Sequence, residues 1–343
     1  RRAVEREGAR TPEPERDVTF TLAAAAAAAA AHAHARRSLP WSRRNNVVAS
    51  RHTRDMGEPF VGSAAVAAGM SWGELQRSYR RIFRDVYIHA DTAVTAVTRA
   101  RAGWLWSGRS AIIAGHSAAA MHGSKWVDAQ SPVELIHNNR HRLAGIHIWG
   151  DQIDDDQIVS IDGVPVTTPE RTALDLACWH PRLAATAAVD ALMRATAVTI
   201  ADVEKLADRY RGRRGIVNAR AVLQSADAGA QSPQETYLRL LLIDGGLPPP
   251  QTQIPVRGDT GSVVAYLDMG WPELKVAAEY DGEQHRTNRS QYSWDVKRLE
   301  ILARRGWIVV RVLAGDKPED ILRRVRAARV RRMALPAAAR WPA

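Results

Sequence analysis

The stretch Val263-Val-Ala-Tyr-Leu-Asp-Met-Gly270, followed after Trp271-Pro272-Glu273 by Leu274-Lys-Val-Ala-Ala-Glu-Tyr-Asp281, decides how the C-terminal part of this chain is read. Both runs suit buried strands, and the break between them is short enough to make an antiparallel hairpin. Folding the chain there brings Asp268 level with Glu279, and side chains two apart share a face, so Glu279 and Asp281 point the same way. Carboxylates gathered at the end of an apolar hairpin raise one another's pKa. A hard divalent ion with oxygen ligands, Mg²⁺ or Mn²⁺, relieves that repulsion. Asp268, Glu279 and Asp281 are therefore the expected metal ligands. The plainer alternative is that Asp281-Gly282 is a turn pair and the acids are solvated.

On either side of the hairpin the pattern continues. Upstream, Ser232-Pro233-Gln234-Glu235 opens a helix with Ser at the cap, Pro at the first position and a carboxylate in the first turn. That helix runs through Leu240-Leu-Leu-Ile243 to Gly245-Gly246, and Gln253 to Val256 is extended. Downstream, His285 lies just past the turn, positioned to hold a proton or a phosphate. A helix from Ser290 to Arg305 places Asp295 and Arg298 one turn apart, and Gly306-Trp-Ile-Val-Val-Arg-Val312 returns as a strand.

Taken in order, Ser232-Pro-x-Glu235, Tyr266-Leu-Asp268, Glu279-Tyr-Asp-Gly-x-x-His285, Asp295-x-x-Arg298 and Gly306-Trp-x-Val-Val-Arg311 resemble the DUF559 domain. That domain belongs to the very-short-patch-repair-like branch of the PD-(D/E)XK endonuclease superfamily. The resemblance covers residues 230–315 and implies a restriction-endonuclease-like mixed sheet flanked by helices. Carried over, it makes Asp268 the central metal ligand and Glu279 the second, with Glu235 as the acid on the preceding helix and His285 as the proton-handling or phosphate-contacting group. Asp281 stands where the superfamily motif has lysine, so water activation would fall to the metal or to His285. Lys275 shares the strand but lies too far along it to substitute. The implied activity is Mg²⁺- or Mn²⁺-dependent hydrolysis of DNA phosphodiesters, in repair or defence, with Arg286, Arg289 and Arg298 positioning phosphates.

Residues 56–90 suggest a second DNA-directed element. A short helix at Gly62–Gly69, a turn at Met70-Ser71, a helix from Trp72 to Arg80 and an alternating strand at Arg81–Ile88 follow the layout of a small winged helix-turn-helix, with Arg77 and Arg80 as candidate phosphate contacts. Residues 91–225 form a mixed α/β middle region. Within it, Ala111–Gly123 reads as a buried helix, Val133–His137 and Ile146–Trp149 as strands, and Gly163–Asp175 as a strand entering a capped helix. Gly115-His-Ser-Ala-Ala-Ala and Val166-Thr-Thr-Pro-Glu-Arg-Thr-Ala-Leu-Asp175 make Met56 to Leu223 similar to proteins carrying an AbiEi-type antitoxin winged helix. That resemblance implies the competing function, a non-catalytic DNA-binding regulator of the type IV antitoxin kind. His116, His122, His137, His141 and His147 match no ligand spacing and read as scattered polar or core histidines. Ser117 lacks the Gly-x-Ser-x-Gly context of a nucleophile elbow. Asp151 to Asp156 reads as a solvated turn.

The whole chain of 343 residues carries a net charge of +11 and a single cysteine, Cys178. Length and composition suit a soluble protein of two or three domains, and one cysteine excludes an internal disulfide or a Cys-rich zinc cage. A reducing cytoplasm fits, with DNA as partner or another polynucleotide such as RNA. Residues 1–55, with a nine-alanine tract and His32 and His34, read as a disordered leader or an upstream start, Met56 being a natural initiator. The apolar run there is too short to span a bilayer. The charge is uneven: residues 1–55 carry +5, residues 321–343 carry +7, and the stretch between them −1. The expected class is α+β: a winged helix-turn-helix, a mixed middle domain, a C-terminal α/β domain, and an arginine-rich segment at 316–343 read as a basic arm beside the acidic site.

Overall fold

The computed structural model describes residues 57–138, 143–258, 260–281 and 289–334, with backbone only for 289–296. The expectations for the leader, including His32 and His34, and for His141, His285 and Arg286 lie outside the described residues. The protein is α+β, built on three sheets in chain order.

The first sheet has strand order β1-β3-β2, from β1 (Phe60–Val61), β2 (Tyr79–Phe83) and β3 (Val86–His89). Between β1 and β2 lie α1 (Gly62–Ala67) and α2 (Trp72–Ser78). Ser71 caps α2, its Oγ accepting from the Glu74 amide at 3.1 Å. Two expectations are corrected here. The single strand at Arg81–Ile88 is a hairpin, turned at Arg84-Asp85 with Asp85 at φ 59°. Helix α2 ends at Ser78, so Arg80 lies on β2, where its guanidinium donates to the Thr92 carbonyl.

The second sheet has the order β6-β5-β4-β8-β7. Its strands are β4 (Ile112–Ile113), β5 (Val133–Ile136), β6 (Ile146–Trp149), β7 (Ile158–Ile161) and β8 (Val164–Thr167). Helices α3 (Ala96–Trp106) and α4 (Gly115–Met121) are followed by α5 (Pro169–Trp179), α6 (Arg182–Ala195), α7 (Ile200–Ala207) and α8 (Ile216–Ser225). The expected helix at Ala111–Gly123 divides into β4 and α4, because Gly115 takes φ +53°, a left-handed turn that breaks a continuous helix. Leu174, Leu176, Val189, Leu192, Val203 and Leu223 form the core of the helical part. Through it runs a buried ionic network. Arg171 donates from Nε to Asp175 at 2.7 Å, Arg213 reaches the same Asp175 oxygen at 2.6 Å, and Asp151 pairs with Arg213. Asp154 and Asp156 each pair with Arg209 at 2.6 Å, so the expected solvated turn at 151–156 is anchored by arginines 50 to 60 residues downstream.

The third sheet has the order β12-β11-β10-β9, from β9 (Gln251–Arg257), β10 (Val263–Trp271), β11 (Val276–Asp281) and β12 (Ile308–Leu313). Strands β9, β10 and β11 are antiparallel, whereas β12 is parallel to β11 and is reached through α10 (Arg289–Arg304). Helix α9 (Pro233–Asp244) precedes the sheet and α11 (Pro318–Met333) follows it. Leu238, Leu242, Met269, Trp271, Val276, Val310, Ile321 and Val325 join α9 and α11 to the sheet in one core, while Leu302 of α10 packs with Ile254, Val256, Leu267 and Ala277. The hairpin turns through a 3₁₀ segment at Pro272–Leu274. A Cβ at Gly270 would lie 2.3 Å from the Val276 carbonyl oxygen, so glycine permits the strands' approach there.

As far as residue 334, the arginine-rich segment is a packed helix rather than a free arm. In α11, Arg324 pairs with Asp316, Arg326 donates to the Gly245 carbonyl, Arg332 donates to the Gly306 carbonyl, and Arg329 lies 4.5 Å from the centre of the Trp271 ring. Its guanidiniums satisfy the ends of neighbouring elements, and its apolar positions Ile321, Val325 and Ala328 are buried. The second and third sheets are joined through α6 and α9: Asp190 accepts from Arg239 at 2.6 Å, from Thr236 at 2.8 Å and from the Asp227 amide at 2.7 Å.

Candidate carboxylate site

Met269 faces Ala278 across the hairpin, so by antiparallel counting Asp268 faces Glu279. Asp268 accepts a hydrogen bond from the Tyr280 amide at 2.9 Å. Glu279 is 7% exposed, deep for a carboxylate. It is engaged by both terminal nitrogens of Arg298 on α10, one of them at 3.0 Å, and Arg298 also donates to the Tyr266 carbonyl at 2.7 Å.

Glu235 joins the group from the first turn of α9. Ser232 Oγ accepts from the Glu235 amide at 3.2 Å and donates to its carboxylate at 3.0 Å, and the Gln231 amide donates to the same carboxylate at 2.8 Å. This is a close variant of the capping box. The carboxylate is thus fixed by the helix start and faces the hairpin. Burial pushes the Glu235 carboxyl above the ordinary range. Asp268 rises further, to about 7, first through burial and then through the negative charges of Glu235 and Glu279.

The structure therefore brings Glu235, Asp268, Glu279 and Arg298 together. Asp281 lies on the same strand face as Glu279, but its carboxylate pairs with Arg311, which stands opposite Glu279 on β12. Asp281 thus has a guanidinium partner of its own, while Glu235 stands with Asp268 and Glu279 as a further acid. Lys275 lies at the opposite end of β11, where Nζ donates to the Arg305 carbonyl at 2.9 Å. His285 and Arg286 are outside the described residues, as is the side chain of Arg289. Arg77 and Arg80 are exposed far back in the chain, on α2 and β2.

Sequence reasoning missed two neighbours. Gln253 Nε2 approaches Glu235 at 3.4 Å, and Arg311 claims Asp281. Arg311 stands inside the Gly306–Arg311 run, but its partner is set by the parallel register of β11 and β12, which nothing in the local sequence encodes. Chemically, the cluster offers carboxylate oxygens only, one of them on an acid with no guanidinium of its own. Such a donor set suits a hard divalent cation better than a soft transition ion.

Among the described residues no helix is long and apolar enough to cross a membrane. The chain is 35% identical over 156 residues to two uncharacterised proteins of Mycobacterium tuberculosis, one from strain CDC 1551 and one from strain H37Rv. The matched stretch covers 46% of this chain, and the chain spans 57% of the length of those relatives. Residues 113–225, the second sheet from β4 onward and its helices, match the family described as the AbiEi antitoxin C-terminal domain. The antitoxin likeness thus takes in both stretches that carry the resemblance, Gly115–Ala120 and Val166–Asp175, and does not extend to the winged-helix-like unit at residues 56–90.

Proposed function

We propose that this protein is a DNA-binding regulator of the antitoxin kind, contacting DNA through its first sheet and the two helices beside it. The observation that carries this reading is the match of residues 113–225 to the AbiEi antitoxin C-terminal domain, directly downstream of a helix–turn–helix–hairpin unit. Arg77, Arg80, Arg81 and Arg84 of that unit are all exposed. They line α2, β2 and the hairpin turn, a layout suited to phosphate contacts that orient a duplex without reading its sequence. The test is binding of the full chain to its own upstream DNA. Retention of binding after removal of residues 230–343, with loss in Arg77→Ala/Arg80→Ala, supports the reading. Loss of binding only on removal of residues 230–343 overturns it.

A second reading is favoured by a different observation, the convergence of Glu235, Asp268 and Glu279 on a helix–three strands–helix–strand unit. That order agrees with the endonuclease-like resemblance of residues 230–315. In this reading Asp268 and Glu279 hold Mg²⁺ or Mn²⁺, with Glu235 behind them. The donor set fits, because Asp268 is an acid raised by burial and by its neighbours' charge, with only a backbone amide for support. Bound there, such an ion supplies Lewis-acid polarisation of a phosphodiester and a more acidic water. The chain's own residues would do the rest: Arg298, freed from Glu279, would orient phosphate, and Glu235 would fix the position of Asp268. Asp281, paired with Arg311, leaves no lysine equivalent at the motif position. Cleavage of plasmid DNA with Mg²⁺ or Mn²⁺ that disappears in Asp268→Ala supports this reading, and equal cleavage by wild type and Glu279→Ala removes it.

A further inference from the structure

Outside both of these regions, one buried acid is surrounded by imidazoles. Glu134 sits in β5, a strand whose residues are buried throughout, and is itself 5% exposed. Two histidines distant in sequence close on its carboxylate. His116, in the first turn of α4, places Nδ1 3.0 Å from Oε2 and donates its backbone amide to the same oxygen at 2.6 Å. His180, the residue that ends α5, places Nε2 3.1 Å from Oε1. The rings meet edge to face with centroids 4.3 Å apart, and one ligating atom from each of the three residues lies within 4.8 Å of the others.

The local sequence is shaped around this arrangement. Gly115 takes φ +53°, and a Cβ there would lie 2.2 Å from Glu134 Oε2, so only glycine lets the carboxylate seat against the start of α4. Ser117 Oγ accepts from the Glu134 amide at 3.0 Å, and Trp149 Nε1 donates to Oε1 at 3.3 Å. Trp149 stacks on Trp179 at 4.1 Å and 6°, forming an apolar wall next to His180. These are supporting contacts of the type that orient ligands around a bound ion.

Two observations separate this cluster from a pair of ordinary histidine–carboxylate hydrogen bonds. His180 Nε2 is shut off from solvent and faces Glu134 Oε1 at 3.1 Å without the alignment of a full hydrogen bond. In contrast, His122 Nε2 lies 2.8 Å from the Thr167 carbonyl and His137 Nε2 2.9 Å from Ser110 Oγ, both within hydrogen-bonding geometry. Secondly, the two imidazoles approach different oxygens of the one carboxylate, His116 to Oε2 at 3.0 Å and His180 to Oε1 at 3.1 Å, spacings near the roughly 3.3 Å between neighbouring donors of a tetrahedral zinc ion at about 2.0 Å.

We propose that His116, Glu134 and His180 form a mononuclear site for Zn²⁺ or a chemically similar divalent transition ion. Two imidazole nitrogens and one carboxylate oxygen are a zinc donor set, whereas a magnesium site would be all oxygen. The imidazoles of His116 and His180 are 29% and 22% exposed at their outer edges, whereas His180 Nε2 itself faces inward. The ion would tie β5, the start of α4 and the end of α5 together within the region that resembles the antitoxin domain.

The test is metal uptake by the full chain after removal of bound metal with a chelator, using ZnCl₂ and CoCl₂ as probes. Wild type should take up about one zinc per chain, give the visible absorption of four-coordinate cobalt, and melt at higher temperature with zinc present. Uptake should be lost in His180→Asn and in His116→Gln, both partly exposed positions. It should persist in Asp268→Asn, which disables the other acidic cluster, and in His32→Ala/His34→Ala. Glu134→Gln serves as a third variant if circular dichroism shows it folded. Failure of wild type to take up zinc in tenfold excess overturns the proposal. So does undiminished uptake by folded His180→Asn, or loss of uptake in Asp268→Asn.

Discussion

Asp175 and Asp268 are both acids drawn into the protein interior, and their surroundings are opposites. Asp175 is fully buried in α5 but is met by Arg171 at 2.7 Å and Arg213 at 2.6 Å, each from a different part of the helical core. Asp268 is met by a backbone amide and by the charges of two further carboxylates, while the nearby guanidinium of Arg298 is engaged by Glu279. The first arrangement meets its charge with two guanidiniums on one carboxylate oxygen, the other oxygen being buried without a hydrogen-bond partner. The second leaves negative charge that an outside cation would neutralise. Burial alone therefore does not mark a functional acid; what marks it is burial without an internal counter-charge.

Removing a cation from the satisfied network should have the largest effect. Arg171→Ala takes one of the two guanidiniums from Asp175 and leaves a cavity, and should cost about 3–5 kcal/mol of stability, read from urea unfolding. If the loss is under about 1 kcal/mol, Asp175 is not held as argued and the contrast with Asp268 fails.

Asp268→Asn should act in the opposite direction. Its folded pKa of about 7 lies above the ordinary aspartate value, so the folded state binds more protons than the unfolded chain between pH 4 and 7. Stability should then fall as pH rises through that window and level off above it. The asparagine variant should remove that slope and be more stable than wild type at pH 8, by an amount on the order of 1–3 kcal/mol. A wild-type profile that rises between pH 4 and 7, uncorrected by the substitution, would contradict the assignment.

A smaller effect concerns added cation. Millimolar Mg²⁺ should raise the melting temperature of wild type at pH 8, where Asp268 is ionised, but not at pH 5, and not in Asp268→Asn. Smallest for stability is Arg77→Ala/Arg80→Ala, expected to change it by less than about 1 kcal/mol because both side chains are exposed. Its effect should appear instead in DNA affinity, with the salt dependence shallower by about one to two phosphate contacts.

How far these features could be read from sequence depends on the range of the contact involved. The β10–β11 hairpin was legible because two apolar runs flank a short break, and the Asp268–Glu279 alignment follows from antiparallel counting. The start of α9 was legible because Ser232, Pro233 and Glu235 each favour a helix N-terminus for a separate local reason. The β2–β3 hairpin was not, since Arg84-Asp85 lacks the usual turn glycine and Asp85 adopts its positive φ without one. The partner of Asp281 was missed because it lies 30 residues away on a parallel strand. The histidine cluster escaped because His116, Glu134 and His180 come from three different elements, and only Gly115 hints locally at the close packing.

The arginines of α11 also bear on when the third sheet can form. Ile321, Val325 and Ala328 belong to the same core as Leu238, Met269 and Val310, and the guanidiniums of Arg326 and Arg332 close the ends of α9 and α10. As the chain leaves the ribosome, the first two sheets have their partners before any residue beyond about 240 is needed. The third must wait with one apolar face open until residues 318–333 have emerged. The carboxylate cluster is therefore assembled later than the first two sheets, and the nascent chain is open to misassociation there until α11 has emerged.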